Sequence, residues 1–163
     1  TYTHLNANVS YSRVFKEDYV VNFNSGGQYT DDSLLNSEQS SIIGEKKISS
    51  LTSGSITGDK QWYTRIQANK NFAPSNKLMF SPYVYSAMGV AYINQASATE
   101  EKSTAAKSIG IGLEFNGIDE MLFGKNISGK AEFSKTWATN NIEDLSDIRL
   151  NNNQIALKLA MSF

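Results

Sequence analysis

Apolar and polar residues alternate over most of the chain. In residues 3–15, Leu5, Ala7, Val9, Tyr11 and Phe15 fall on one side of an extended segment, and His4, Asn6, Asn8, Ser10 and Ser12 on the other. That is the period of two that a β-strand imposes. After the polar turn Lys16-Glu17-Asp18, a strand from about Tyr19 to Tyr29 sets Tyr19, Val21 and Phe23 against Val20, Asn22 and Asn24. Gly26-Gly27 inside it predicts a bulge or bend. Residues 60–72 alternate Trp62, Thr64, Ile66 and Ala68 with Tyr63, Arg65, Gln67 and Asn69. A turn at Phe72-Ala73-Pro74-Ser75-Asn76 leads into residues 77–94. There Leu78, Phe80, Val84, Met88, Val90 and Tyr92 oppose Ser81, Tyr83, Tyr85, Ala87 and Gly89. Ile109, Leu113 and Phe115 alternate with Gly110, Gly112 and Glu114. Ile127, Ala131, Phe133 and Trp137 alternate with Ser128, Lys130, Glu132, Ser134 and Thr136. The last stretch sets Ile155, Leu157, Leu159, Met161 and Phe163 against Gln154, Ala156, Lys158, Ala160 and Ser162.

The pattern predicts about seven strands, each close to the roughly 10 residues that cross a bilayer. The connections sort by parity. Those at 16–18, 73–76 and 117–125 are shorter than those at 30–59, 95–106 and 138–149, the second of which has room for a short helix. Short turns on one side and long loops on the other characterise outer-membrane barrels. If Phe163 ends at the periplasmic side, the long loops are extracellular. Arg65 would sit in the polar interior, and Lys130 and Glu132 would need ion pairing on a buried face of a soluble protein, whereas a wet lumen accepts them at little cost. The expected fold is therefore all-β, an antiparallel transmembrane β-barrel; a soluble β-sandwich binding module is the other architecture that such alternation permits. An odd strand number leaves an open edge, which lipid does not tolerate. Either another strand exists or residues 1–163 are the C-terminal part of a larger barrel.

Composition narrows the chemistry. The 163 residues carry a net charge of -1, which gives no electrostatic case for nucleic acid. There is no cysteine, and His4 is the only histidine, so thiolate chemistry and a Cys/His zinc site are excluded. Serines are abundant, but no credible histidine partner completes a nucleophilic triad. Mean hydropathy is -0.38, with no apolar run near the roughly 18 residues of a spanning helix. Glu100-Glu101 and Asp144/Asp147 are acidic enough for Ca²⁺, but polar loops collect such residues anyway. Neither metal nor cofactor is expected. Thr1 begins in mid-strand character, as in a mature protein or an excerpt.

The long loop carries a more specific signal. The run from Ile42 to Asp59, with Ile48-Ser49-Ser50-Leu51, then Gly54, then Gly58-Asp59 leading straight into a strand, resembles the lid loop of the haemolysin-activator transporters. These are the outer-membrane, porin-like partners of two-partner secretion. Pro82-Tyr83-Val84-Tyr85-Ser86-Ala87-Met88-Gly89 resembles the family's aromatic-x-Asp-x-Gly strand, and Ser108-Ile109-Gly110-Ile111-Gly112-Leu113 its Gly-rich region near the end. The resemblance implies a larger barrel in the bacterial outer membrane, with two strands of this chain before the lid and five after it. It implies secretion of an unfolded exoprotein cargo, without nucleotide or cofactor and without enzymatic activity. Gly44, Ile48, Ser49, Ser50, Leu51, Gly54, Gly58 and Asp59 would belong to the lid. Arg65, Gln67, Tyr83, Tyr85, Ala87, Gly89, Glu114, Lys130, Glu132 and Lys158 would face the lumen, where the charged ones either line a path for an unfolded polypeptide or form ion pairs that stabilise the barrel. Leu157, Leu159, Met161 and Phe163 are similar to the signal read by the barrel-assembly machinery. A small structural or adhesive outer-membrane barrel that transports nothing is the alternative.

One departure matters. By this alignment the family's lid Arg falls on Ser49, its Gly on Ser50, and its strand Asp on Ala87. Losing both charges is milder than losing one, because neither ion is left unpaired. The lid is then expected to be held by neutral hydrogen bonds from Ser49, Ser50 and Thr52 to Tyr83, Tyr85 or Arg65.

Overall fold

The computed structural model describes residues 3–15, 18–49, 56–75, 78–96, 102–119, 125–139 and 150–162. The strands are β1 (Leu5–Val14), β2 (Tyr19–Tyr29), β3 (Ser40–Ser41), β4 (Thr57–Gly58), β5 (Lys60–Lys70), β6 (Phe72–Ser75), β7 (Leu78–Tyr92), β8 (Ser103–Asp119), β9 (Lys125–Thr139) and β10 (Leu150–Ser162). Seven long strands form one antiparallel sheet in the order β1-β2-β5-β7-β8-β9-β10, with β6 paired to β7. Strands β3 and β4 make a small ribbon within the connection from β2 to β5. No helix of the described residues is long and apolar enough to cross a membrane.

Cross-strand partners share a face, so a register row shows what each side is made of. One row reads Asn22, Gln67, Tyr85, Gly110, Ser134 and Gln154. The next reads Val21, Ala68, Val84, Ile111, Phe133 and Ile155. These six strands therefore share one polar/apolar division at this level, and β1 adds Ser12 to the polar row and Arg13 to the other. The apolar side is uncovered, with Ile155 72% and Leu157 80% exposed. The buried apolar cluster lies on the polar side, where Ile42, Ile43, Ile48 and Ile56 of the long loop pack over Tyr63, Tyr83, Tyr85 and Ala87. A single sheet wearing its hydrophobic residues outward is a barrel wall rather than half of a sandwich. Strands β1 and β10 are its two edges, and β1 is exposed along its whole length.

Several sequence expectations need correction. Gly26-Gly27 forms no bulge, since pairing runs unbroken from Asn8↔Gly26 and Ala7↔Gly27 to Gly26↔Tyr63 and Gly27↔Trp62. Close approach to backbone explains Gly27, where a Cβ would lie 2.8 Å from the Gln61 carbonyl, whereas the nearest atom at Gly26, 2.1 Å away, is Oδ1 of the exposed Asn8 side chain. The turn expected at 72–76 is mostly strand β6, irregularly paired with β7. The loops assigned to 95–106, 117–125 and 138–149 are too long. Ser103 to Ala106 extend β8 by pairing with Tyr92 to Gly89, and β8 continues to Asp119. Backbone pairing with a long neighbour lengthens a strand whatever its side chains, so alternation alone misplaces the ends.

Candidate lid and lumen site

The long connection is secured first at its base. Asp59, wholly buried, accepts bonds at Oδ1 from Leu34 N (2.8 Å) and Gln39 Nε2 (3.2 Å) and at Oδ2 from Asn94 N (2.7 Å). Gln28 Nε2 donates to the Asp59 carbonyl (3.3 Å), and Gln28 Oε1 accepts from Ser40 Oγ (2.6 Å). Gly58 fits only without a side chain, because a Cβ there would be 2.6 Å from the Tyr92 carbonyl. One carboxylate thus ties together both ends of the connection and the β7–β8 loop.

From this base a tight turn reaches over the sheet. Lys47 N bonds to Gly44 O (3.0 Å), Gly44 N to Ile48 O (3.1 Å) and Ile48 N to Ile42 O (3.2 Å). The turn drives Ile42 and Ile48, both fully buried, onto the polar face. Gly89 forms part of their floor, where an added Cβ would meet Ile42 Cβ at 3.2 Å and the Trp62 carbonyl at 2.8 Å. The Lys47 ammonium lies 4.8 Å from the Tyr63 ring centre, and burial pushes its pKa below the ordinary value. Glu45 reaches Lys158 of β10 at 3.0 Å, a hydrogen bond that lowers the pKa of its carboxyl.

Beyond the turn, Ser49 meets a buried ion pair. Arg65 Nη2 lies 3.6 Å from Glu132 Oε2, and both side chains are almost wholly enclosed. Arg65 Nη1 donates to Ser49 Oγ (2.9 Å) and to the Lys47 carbonyl (3.2 Å). The Ser49 hydroxyl donates to Glu132 Oε1 and lies 3.1 Å from the Tyr85 hydroxyl. Tyr83 donates to Glu132 Oε2 (2.6 Å), Arg65 Nη2 to Gln67 Oε1 (2.9 Å), and the guanidinium sits 3.7 Å from the Tyr85 ring centre. Ser49 therefore bonds to two ions. The expectation of a neutral attachment is corrected: its hydrogen bonds are charge-assisted, the stronger class.

The glycines of β8 make this convergence possible. Tyr83, Gly112 and Glu132 form one register row, and Tyr85, Gly110 and Ser134 another. Each tyrosine lies across the glycine beside it. A Cβ on Gly112 would be 2.2 Å from the Tyr83 ring, and one on Gly110 2.4 Å from that of Tyr85. The bare backbone of β8 lets β7 reach β9.

The structure brings Ser49, Arg65, Gln67, Tyr83, Tyr85 and Glu132 into one cluster, with Lys130 at its margin. Lys130 Nζ is 3.3 Å from Glu114 and 3.8 Å from Glu132. Ala87 is buried beside Arg65 and Ser108 in the register. Lys158 stands apart, joined to Glu45. Ser50, Leu51, Thr52, Gly54 and Phe163 lie outside the described residues. Leu157, Leu159 and Met161 lie in β10 opposite Ala131, Gly129 and Ile127. The bracing of Asp59 by Gln28, Gln39 and Asn94 escaped the sequence reading. Its available signal was the apolar pair Ile42-Ile43 in a polar loop, a sign that the loop folds back.

A family model described as "Haemolysin secretion/activation protein ShlB/FhaC/HecB" matches residues 1–115. No curated protein and no solved structure matches the chain. Glu132 and Lys158 lie beyond the matched stretch.

Proposed function

We propose a function from one premise: the chain belongs to the ShlB/FhaC/HecB haemolysin secretion/activation family. It forms the C-terminal part of a β-barrel in the bacterial outer membrane, and edges β1 and β10 pair with strands of the whole protein outside this chain. Open edges in lipid would strand their backbone groups. The barrel exports an unfolded partner exoprotein, and residues 30–59 are its lid. The observation that carries this reading is Ser49 seated between Arg65 and Glu132, which places the loop across the polar face instead of away from it.

Transport then needs a reversible displacement of residues 42–49. The base at Asp59 holds while the tip leaves. The uncovered wall offers Gln67, Tyr83, Tyr85 and Lys130 as hydrogen-bonding groups, each replaceable by water or by a passing peptide. Many weak contacts suit transit, because one tight site would arrest the cargo. No residue need do covalent chemistry. The apolar face meets membrane lipid, and the last strand is presented to the barrel-assembly machinery.

The test uses the full-length protein in cells that make its partner exoprotein, together with single-channel recording in planar bilayers. Deleting residues 42–49 is expected to raise conductance and alter the amount of exoprotein in the medium. Unchanged conductance would remove the lid assignment. Export that persists without the full-length protein would remove the transport reading in favour of a structural barrel.

A further inference from the structure

The outward face is not uniformly apolar; cations bound it. On β5, Lys60 and Lys70 bracket Trp62, Ile66 and Ala68. Ten residues of strand at the usual rise and tilt span a height of roughly 25 Å, the thickness of a barrel's apolar band. The border on the long-loop side continues through Lys107 of β8 and Lys135 of β9. Lys60 pairs with Tyr92, Lys107 with Met88 and Lys135 with Ile109, so the border steps down across the sheet, as tilted strands require.

These cations differ in company. Lys60 is neutralised by Asp31 at 2.9 Å. Lys107 and Lys135 have no carboxylate partner among the described residues. Both are directed to one indole instead, with ammonium groups 5.7 and 5.4 Å from the centre of Trp137. Beside them lies an outward groove of about 260 Å³ bordered by Trp62, Met88, Val90 and Ala105. Two cations at the rim and an apolar furrow next to them match an amphiphile with an anionic head. Snorkelling alone would explain long lysine stems at a membrane border, but not two ammonium groups on one ring beside a furrow, with no carboxylate beside them among the described residues.

We propose that Lys107, Lys135 and Trp137 seat the phosphate head group of an outer-leaflet glycolipid, with an acyl chain lying in the adjoining groove. This rests on the membrane reading above, with the long loops outside the cell. The phosphate gains two ammonium partners and displaces no ion pair among the described residues. The indole edge lies at the junction of head and chain, where tryptophan is favoured.

The experiment places the full-length protein in phosphatidylcholine nanodiscs doped with diphosphoryl lipid A or its dephosphorylated form. Retained lipid is read by native mass spectrometry. The native protein should prefer the phosphorylated form, and K107Q/K135Q should lose that preference by roughly 30-fold, the share of two surface lysines against an anionic lipid. Ala105→Trp, which fills the groove, should weaken retention of both forms. Excess inorganic phosphate should not displace the lipid, since free phosphate has no chain for the groove. A preference that survives K107Q/K135Q overturns the proposal, as does displacement by inorganic phosphate. Failure to enter nanodiscs at all would instead defeat the membrane reading, so the two failures are distinguishable.

Discussion

Arg65 and Ile66 are neighbours in β5, yet the arginine is 1% exposed and the isoleucine 49%. In a water-soluble domain these figures would be reversed. The arginine is tolerable because Glu132, Gln67, Ser49 and the Tyr85 ring surround it. The isoleucine is tolerable because a barrel's outer face meets hydrocarbon. Neighbouring residues thus obey two solvents, and accessibility alone does not say which residues hold the molecule together.

The largest effect should come from breaking the enclosed side. Glu132→Ala leaves Arg65 buried without its ion and should cost about 3–5 kcal/mol. Urea unfolding of detergent-folded protein measures this. Replacing both ions by apolar residues, as in R65M/E132L, should cost much less, and an equal loss in both would mean that the pair is not the relevant unit. The outer side offers the counterpart. Ile111→Arg, in the middle of the apolar band, should cost about 2–4 kcal/mol of folding into bilayers. In detergent the penalty should shrink, whereas that of Glu132→Ala should not.

Asp59→Ala should come next, because three donors lose their acceptor at a cost of about 1–3 kcal/mol. Faster amide exchange at Leu34 and Asn94, with the strands unchanged, would report it. The smallest effect is electrostatic and exposed. The Glu45 pKa is lowered by its bond to Lys158, so that contribution is present above the ordinary glutamate value of 4.5 and is lost as pH falls through the lowered one. Protection of Gly44 and Lys47, taken against each amide's intrinsic exchange rate at the same pH, should therefore fall in acid, and Glu45→Gln should abolish the difference. Solvent screening keeps the effect slight.

The two faces differ also in how far the sequence disclosed them. Alternation placed Trp62, Ile66, Val84, Ile109 and Phe133 on one side because period-two geometry is local. Ion pairing among the lumen charges was open to the sequence, but the match of Arg65 with Glu132 was not, because they are 67 residues apart and meet only once β5, β7, β8 and β9 are in register. Ser49 was marked by its place in the lid motif, yet nothing local says that its partners are ions. Gly110 and Gly112 looked like a motif when they are crossing points for Tyr85 and Tyr83. Gly26-Gly27 misled in the opposite sense, since a glycine pair in a strand signals bending or crowding and the chain alone does not separate them. Strand ends at Ser103 and Asp119 were hidden because their neighbours, not their own side chains, make them extended.

The double attachment of the long loop has a kinetic consequence. With the Asp59 network intact, a displaced Ser49 stays tethered near its seat at an effective concentration of about millimolar order. Return is then a unimolecular closure, and flexible loops of about ten residues close in roughly 10–100 ns. If residues 30–59 are the lid proposed above, that loop resets as soon as the path clears, and its dwell time in the open position is set by the length of the polypeptide passing beneath it.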